Sequence, residues 1–331
     1  MEPVTGLWPP CEKGVNTGSG WSTYNPGGSF VSLYVRESRR AHITPVFTYY
    51  QLLQSNPQLG AEEDQDLAHL RDRSLMRAYW QDFRLALRRS KGHSRVVMHI
   101  EPDLWGYIQQ VSRRDRAASV PAAVASSGDP ALKGLPDNAS GFARAFVRLR
   151  NRLAPNVTLA WHLSTFGTNE DPTYSNPSRR RIATLAARSA KFYKSMHARF
   201  DIVFHDVADR DDGFRQYVLG DGGASRWTAG DFHRRDAYLR GFTRRVHRKV
   251  VIWQIPLGNT HLPNTTGRYR DNRVQWWLGK GGAKHRRQAR RAGVVALLFG
   301  GGADGTTSAD TDGGLFYRLS RAYYRHPLRL R

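Results

Sequence analysis

From residue 43 onward, short runs of apolar and β-branched residues alternate with longer stretches whose apolar positions recur every three or four residues. Repeated βα units produce this rhythm, because a strand buried on both faces reads as a continuous apolar run and each covering helix shows one apolar face. The pattern predicts strands over 43–50 (ITPVFTYY), 95–100 (RVVMHI), 157–163 (VTLAWHL), 201–207 (DIVFHDV), 250–255 (VVIWQI) and 294–299 (VVALLF). It predicts helices over 74–89, 140–153, 178–199, 231–248, 271–278 and 284–292, with a closing helix over 312–325. The expected fold class is therefore α/β, a TIM-like (β/α) barrel in a single domain over 1–331, since the rhythm shows no break. Six clear strands fall short of the usual eight, so the barrel is expected to be distorted or seven-stranded. A further strand is expected near Val31 to Val35, or around Thr5 to Trp8, within an irregular amino-terminal segment 1–35. The stretch 112–140, rich in Ala, Ser, Pro and Gly, reads as a long surface loop.

Hydrophobic residues are 40% of the 331 and aromatics 11%, enough for a packed core and too much for a disordered chain. The formal charge is +23, with 43 Arg and only 8 Lys. The arginines are spread over most predicted helices (Arg84, Arg88 and Arg89; Arg144 and Arg148; Arg179 to Arg181; Arg244 and Arg245), as solvated helix faces would be. A polyanion would touch best at the dense run from Lys284 to Arg291, but nucleic acid is not the expected partner. Cys11 is the single cysteine, so neither an internal disulfide nor a thiolate metal cluster is expected. The first residues, MEPVTGLWPPCEKG, lack a basic segment followed by an apolar run, so no signal peptide is expected. No stretch approaches the length of a membrane span, and a monomer without membrane contact is expected.

In parallel α/β barrels the active site lies at the carboxyl ends of the strands. The residues there are Tyr49, Tyr50 and Gln51; Glu101, Pro102, Asp103 and Trp105; His162 and Ser164; His205, Asp206, Asp209 and Asp211; Gln254 and Asn259; and Gly300 to Asp304. Carboxylates, amides, histidines and aromatics at successive strand ends suit a sugar pocket, where rings stack on aromatic faces and hydroxyls need polar partners. Glycoside cleavage by inversion needs a protonated carboxyl for the leaving oxygen and an ionised one to activate water. Asp103, beside Trp105 and close to Glu101, is the expected acid, and Asp304, in a glycine-rich loop, the expected base. A retaining scheme would instead use Glu101 as acid and Asp206 as nucleophile. Substrate contacts are expected from Tyr50, Trp105, His162, His205, Asp209, Gln254 and Asn259. Trp253 and at least one of the adjacent Trp276 and Trp277 are expected in the core. No metal is expected, for want of His-x-His or His-Glu-x-x-His spacing, and no cofactor, because the glycine run lacks the Lys-Ser/Thr of a nucleotide loop.

The order of these motifs resembles glycoside hydrolase family 6, whose barrel is distorted with about seven strands. The strand running into EPDLWGYIQQ (101–110) is similar to that family's strand ending in EPD-Ser-Leu, which implies that Asp103 is a general acid. The segment Asn156 to His162 (NVTLAWH) resembles the following family strand, Asn-Val-x-x-Tyr-x-Asp-x-x-His. GGGADGTTSAD (300–310) is similar to the Gly-Gly-Glu-x-Asp-Gly-Thr-Ser segment that holds the family's proposed base. The chain departs from the family in three places. PVFTYYQLLQS (45–55) keeps a tyrosine but not the family's acidic partner, glycine stands where the family has the glutamate, and the preceding lysine is missing. The similar acidic pair Asp209 and Asp211 follows a different strand.

The expected function is that of a glycosidase acting on a β-linked polysaccharide or oligosaccharide, and the resemblance implies an extracellular setting in polysaccharide degradation. The alternatives are a carbohydrate-binding barrel without catalysis and, further off, a basic polyanion-binding protein.

Overall fold

The computed structural model describes residues 13–23 and 27–328. They form two compact units: the first reaches to Asn169 and resumes over Arg188–Val203, and the second holds Glu170–Ala187 and everything from Phe204. In chain order the elements are α1 (Ser29–Arg40), β1 (Val46–Tyr49), α2 (Glu62–His69), α3 (Arg73–Ser90), β2 (Val96–Ile100), α4 (Leu104–Val111), α5 (Ala139–Leu153), β3 (Val157–His162), α6 (Arg179–Ser195), β4 (Ile202–Asp206), α7 (Asp212–Tyr217), α8 (Ala229–Val246), β5 (Val250–Ile255), α9 (Arg273–Leu278), α10 (Gly282–Arg291), β6 (Val294–Phe299) and α11 (Leu315–Arg325). Strand order follows chain order from β1 to β6, the pattern of successive βα units.

In the first unit β1, β2 and β3 run parallel, with Tyr49 opposite Ile100 and Ile100 opposite Trp161, so the three strand ends lie level. The unit's core is aromatic. Along α3, Leu75, Met76, Tyr79, Trp80, Phe83 and Leu87 are buried at helical spacing, and Phe146 of α5 packs on Phe83 with ring centroids 4.9 Å apart and on Trp80 at 5.0 Å. Burial of each such ring is worth roughly 1.5–3 kcal/mol, and the edge-to-face geometry adds to that. Both helices start on side-chain caps: Asp72 Oδ1 accepts from Ser74 N (2.8 Å) and Leu75 N (2.9 Å), and Asn138 Oδ1 accepts from Gly141 N (3.1 Å).

In the second unit β5 and β6 are parallel, with bulges after Val250 and Ile252. Thr228 and Asp231 form a capping box at the start of α8, whose Phe232, Tyr238, Leu239 and Phe242 are buried. Trp277 of α9 is also buried, as expected for one of the tryptophan pair.

Two expectations are corrected. Val31 to Val35 is not a strand: it lies inside α1, because Phe30, Val31, Tyr34 and Val35 share one helical face, with Tyr34 set edge-on to Phe47 at 5.1 Å. The alternative around Thr5 to Trp8 lies outside the described residues, and among those described there are six strands. The 112–140 stretch is not a surface loop. Three single turns of 3₁₀ helix carry it, and Val120, Val124 and Leu132 are wholly buried. Asp137 ties the chain down by accepting from Val124 N (2.8 Å) and Ser126 N (3.0 Å), and Asp129 pairs with Arg84 at 2.8 Å.

Candidate active site

The first unit gathers acids at the carboxyl ends of β1 and β2. Asp103 stands at the start of α4 and is half-buried; the Tyr50 hydroxyl donates to its Oδ2 at 3.0 Å. Glu101, the residue directly after β2, is fully buried in the left-handed region at φ 41°. Its Oε1 accepts from Gln51 N (3.0 Å), Leu52 N (3.3 Å) and the Tyr79 hydroxyl (2.8 Å). A branched backbone anchor of this kind fixes the chain after β1 against the chain after β2, and with it the position of Tyr50. Burial pushes Glu101 up to about 8, against the pull of those hydrogen bonds.

The sequence reading missed Asp66. One turn of α2 separates it from Glu62 on the same face, and both oxygens of its buried carboxyl lack a hydrogen-bond partner. Burial holds this acid well above the ordinary carboxylate range, and the charges of Glu101, Asp103 and Glu62 add to the effect. The same helix is tied to α4 through the Tyr107 hydroxyl, which donates to Glu62 Oε2 at 3.0 Å. Burial and the neighbouring acids also raise Tyr50 and Tyr107, so both stay neutral hydrogen-bond donors. The available signal was the spacing of Glu62 and Asp66 in EEDQDLAH, an acidic pair one helical turn apart in the connection between β1 and β2.

Other predicted residues of this unit serve the interior. Trp105 does not offer a sugar platform: it is 1% exposed, donates from Nε1 to Ile100 O at 2.9 Å, and packs on Phe142 and Phe200. The α4 turn that places Asp103 on the surface sends the next-but-one side chain inward. His162 is buried at the end of β3, its Nδ1 2.9 Å from His99 Nε2, and His99 Nδ1 lies 3.2 Å from Thr48 Oγ1. Burial and the neighbouring ring push His99 well below its usual range, so it is neutral.

In the second unit His205 is buried and Asp206 half-buried at the end of β4. Asp209 is not an open acceptor, being paired with Arg210 and with Arg215 (2.6 Å). Asn259 uses both ends of its amide internally, donating to Asp312 O at 2.7 Å and accepting from His261 N at 3.1 Å. Gln254 sits in the left-handed region at φ 49° and fills the space beside Gly302. A Cβ at 302 would stand 2.2 Å from Gln254 Nε2 and 3.1 Å from Asp209 Cα. A side chain at 302 would have to push the end of the Gln254 side chain aside. Asp304 is exposed on the loop after β6, whose base is pinned by Gly300 N to Ile255 O and Gly302 N to Asp209 O, both 2.9 Å.

The second unit also holds a buried charge cluster that the sequence did not signal. Arg273 donates to Asp212 Oδ1 (2.6 Å) and Asp271 Oδ2 (2.5 Å) and lies over Trp227 at 4.6 Å. Asp211 accepts from Gly258 N (2.9 Å) and Thr307 N (2.8 Å), joining the loops after β5 and β6. Burial raises both Asp211 and Asp212, the latter to about 7, with the Asp271 charge adding to Asp212. These acids brace loops.

Parallel strands with buried and half-buried carboxyls at their carboxyl ends give the chain an α/β fold of the TIM-barrel-like kind. Among solved structures it is similar to a modular endo-β-1,4-mannanase from Cellulomonas fimi, a glycoside hydrolase family 26 protein, at 12% identity and a TM-score of 0.53. The match covers 91% of this chain and 58% of that one. At this identity the likeness defines the fold and not the chemistry. No family model and no curated protein sequence matches the chain.

Proposed function

We propose that the protein hydrolyses β-linked oligo- or polysaccharides, with Asp103 delivering the proton to the leaving glycosidic oxygen. The observation that carries this reading is the Tyr50–Asp103 hydrogen bond at the strand ends, backed by two buried acids, Asp66 and Glu101, whose proton affinity burial raises. Asp103 is half-buried, so a bound sugar can reach it, whereas Glu101 is enclosed with three donors on one oxygen. Asp103 is therefore preferred over Glu101 as the acid. The second carboxylate is sought in Asp304 or Asp206; a base would activate water for inversion, and a nucleophile would form a glycosyl intermediate for retention. The similar solved structure is that of an endo-β-1,4-mannanase, so β-1,4-mannan heads the substrates to try, with β-glucans next in view of the family 6 resemblance. An extracellular role in polysaccharide breakdown goes with this reading.

Hydrolysis of a panel of β-mannans and β-glucans by the wild type, Asp103→Asn, Asp206→Asn and Asp304→Ala tests it. Asp103→Asn keeps the side chain's size but removes the transferable proton, so turnover should fall roughly 10²- to 10⁴-fold with little change in affinity. Aryl glycosides, which need less protonation, should lose less. If Asp304 is the base, azide should partly rescue Asp304→Ala. Wild-type activity untouched by Asp103→Asn would sink the assignment.

One observation favours a second reading, a carbohydrate-binding protein without turnover: Gln254 closes the place of the family 6 glutamate at Gly302. A folded wild type that binds these glycans and cleaves none of them would establish that reading.

A further inference from the structure

A cavity of about 380 Å³ opens in the first unit, lined by Arg39, His42, Thr44, Pro45, Ser94 and Arg95 among others. These residues precede β1 and β2, so the cavity lies at the strands' amino-terminal ends, away from Tyr50, Glu101 and Asp103. Its wall is a built turn. Helix α1 ends with Ile43 N donating to Ser38 O at 2.8 Å and His42 N donating to Arg39 O at 3.1 Å. This pair of bonds closes the helix and normally places glycine at the left-handed position. Here that position is His42, at φ 54°. His197 and His247 take the same conformation after α6 and at the end of α8, so the backbone here is shared with other helix ends, and what sets His42 apart is its place in the cavity wall. The opposite wall is fixed as well, since Asn156 Nδ2 donates to Ser90 O (2.9 Å) and Ser94 O (2.8 Å), and Val97 N donates to Pro45 O (3.0 Å).

The arginines of α1 differ in how they are engaged. Arg36 and Arg40 of α1 are both engaged by Glu37. Among the described residues the side chains of Arg39, His42 and Arg95 have no hydrogen-bond or ion-pair partner, and no acidic side chain lines the cavity. The α1 carbonyls that would repel an anion are capped by the turn's own N–H groups. Two guanidinium groups, an imidazole and the Ser94 hydroxyl thus converge on one concavity with their donors unspent. Planar guanidinium forks match the oxygens of a tetrahedral anion, and the volume falls in the range of small-molecule pockets rather than that of a bare ion.

We propose that this cavity is an oxyanion-binding site that takes a sulfate or phosphate group carried on a sugar-sized molecule. It is independent of the proposed hydrolysis and stands or falls separately.

Calorimetric titration of the full chain tests this, using glucose 6-sulfate, glucose 6-phosphate, inorganic sulfate and glucose at constant ionic strength. One saturable site is expected for the sugar-borne anions, with at least about 10-fold weaker binding of inorganic sulfate and none of glucose; the stronger of the two esters identifies the group preferred. Arg39→Gln and Arg95→Gln should each weaken binding about 10-fold. Arg244→Gln, which removes an exposed charge from α8 in the second unit, should leave it unchanged. His42→Gly should raise the melting temperature by relieving the left-handed backbone while weakening the anion, a combination that loss of folding cannot mimic. The proposal is overturned if no anion binds saturably, if inorganic sulfate binds as well as the esters, or if Arg244→Gln costs as much as the cavity variants.

Discussion

The hydroxyl of Tyr50 donates a 3.0 Å hydrogen bond to Oδ2 of Asp103, joining the residue after β1 to the N-cap position of α4. A donor at this distance orients the carboxyl. Tyr50→Phe should therefore lower kcat about 10-fold through lost orientation, with KM little changed. Initial rates on the best substrate of the glycan panel check this. An unchanged kcat would mean that the hydrogen bond does not position the acid.

Asp66 should make stability fall as pH rises. Its folded-state proton affinity lies above that of an unfolded aspartate, so its contribution is full below about pH 4 and is lost as pH climbs through the raised folded value. Asp66→Asn removes that titration while keeping the shape. The variant should gain about 1–3 kcal/mol over wild type at pH 8, and the difference should close toward pH 4. Urea unfolding at the two pH values gives the comparison; a difference independent of pH would show that Asp66 does not titrate in the folded protein.

Glu101 carries the same sign with a defined window. Pushed up to about 8, it should contribute fully below about pH 4.3 and progressively less up to and beyond pH 8. Glu101→Gln keeps an acceptor for Gln51 N, Leu52 N and Tyr79, so it should flatten the stability profile between pH 5 and 8 without unfolding the protein. Glu101→Ala leaves two buried N–H groups unpaired and should lose roughly 2–5 kcal/mol at any pH.

Trp105→Ala should behave as a core deletion, costing about 3–5 kcal/mol whether or not glycan is present. Denaturation midpoints with and without a bound oligosaccharide separate this from the role of a sugar platform, which would show as lost affinity at nearly unchanged stability.

The basic coat predicts weak, sequence-independent nucleic-acid binding that falls steeply between 50 and 200 mM salt. Arg88, Arg144, Arg152, Arg179, Arg180, Arg244 and Arg245 are exposed on several helices, not gathered on one. Retained affinity at physiological salt, with preference for one DNA sequence, would promote the polyanion reading over the glycosidase.

All six strands and helices α3, α5, α6 and α8 to α11 were legible in the sequence, because a strand covered on both faces and a helix covered on one leave distinct apolar periods. Helices α1, α2, α4 and α7 were not. Of these, α2, α4 and α7, of 8, 8 and 6 residues, are brief and show no clear period. The strand wrongly expected at Val31 to Val35 arose because four apolar residues in five fit either period until a neighbour such as Phe47 selects the face. The same limit governs the site. The sequence alone placed Tyr50, Glu101 and Asp103 at strand ends, since that follows from where each apolar run stops. Only the tertiary structure decided which of them faces inward: Glu101 is locked under Gln51 and Leu52, Trp105 is turned into the core, Gln254 fills the space at Gly302, and Asp66 is brought in from a helix with no apolar run to announce it. Chain position is local and leaves a pattern in the sequence, whereas burial and hydrogen-bond partnership come from contacts between distant segments and leave none.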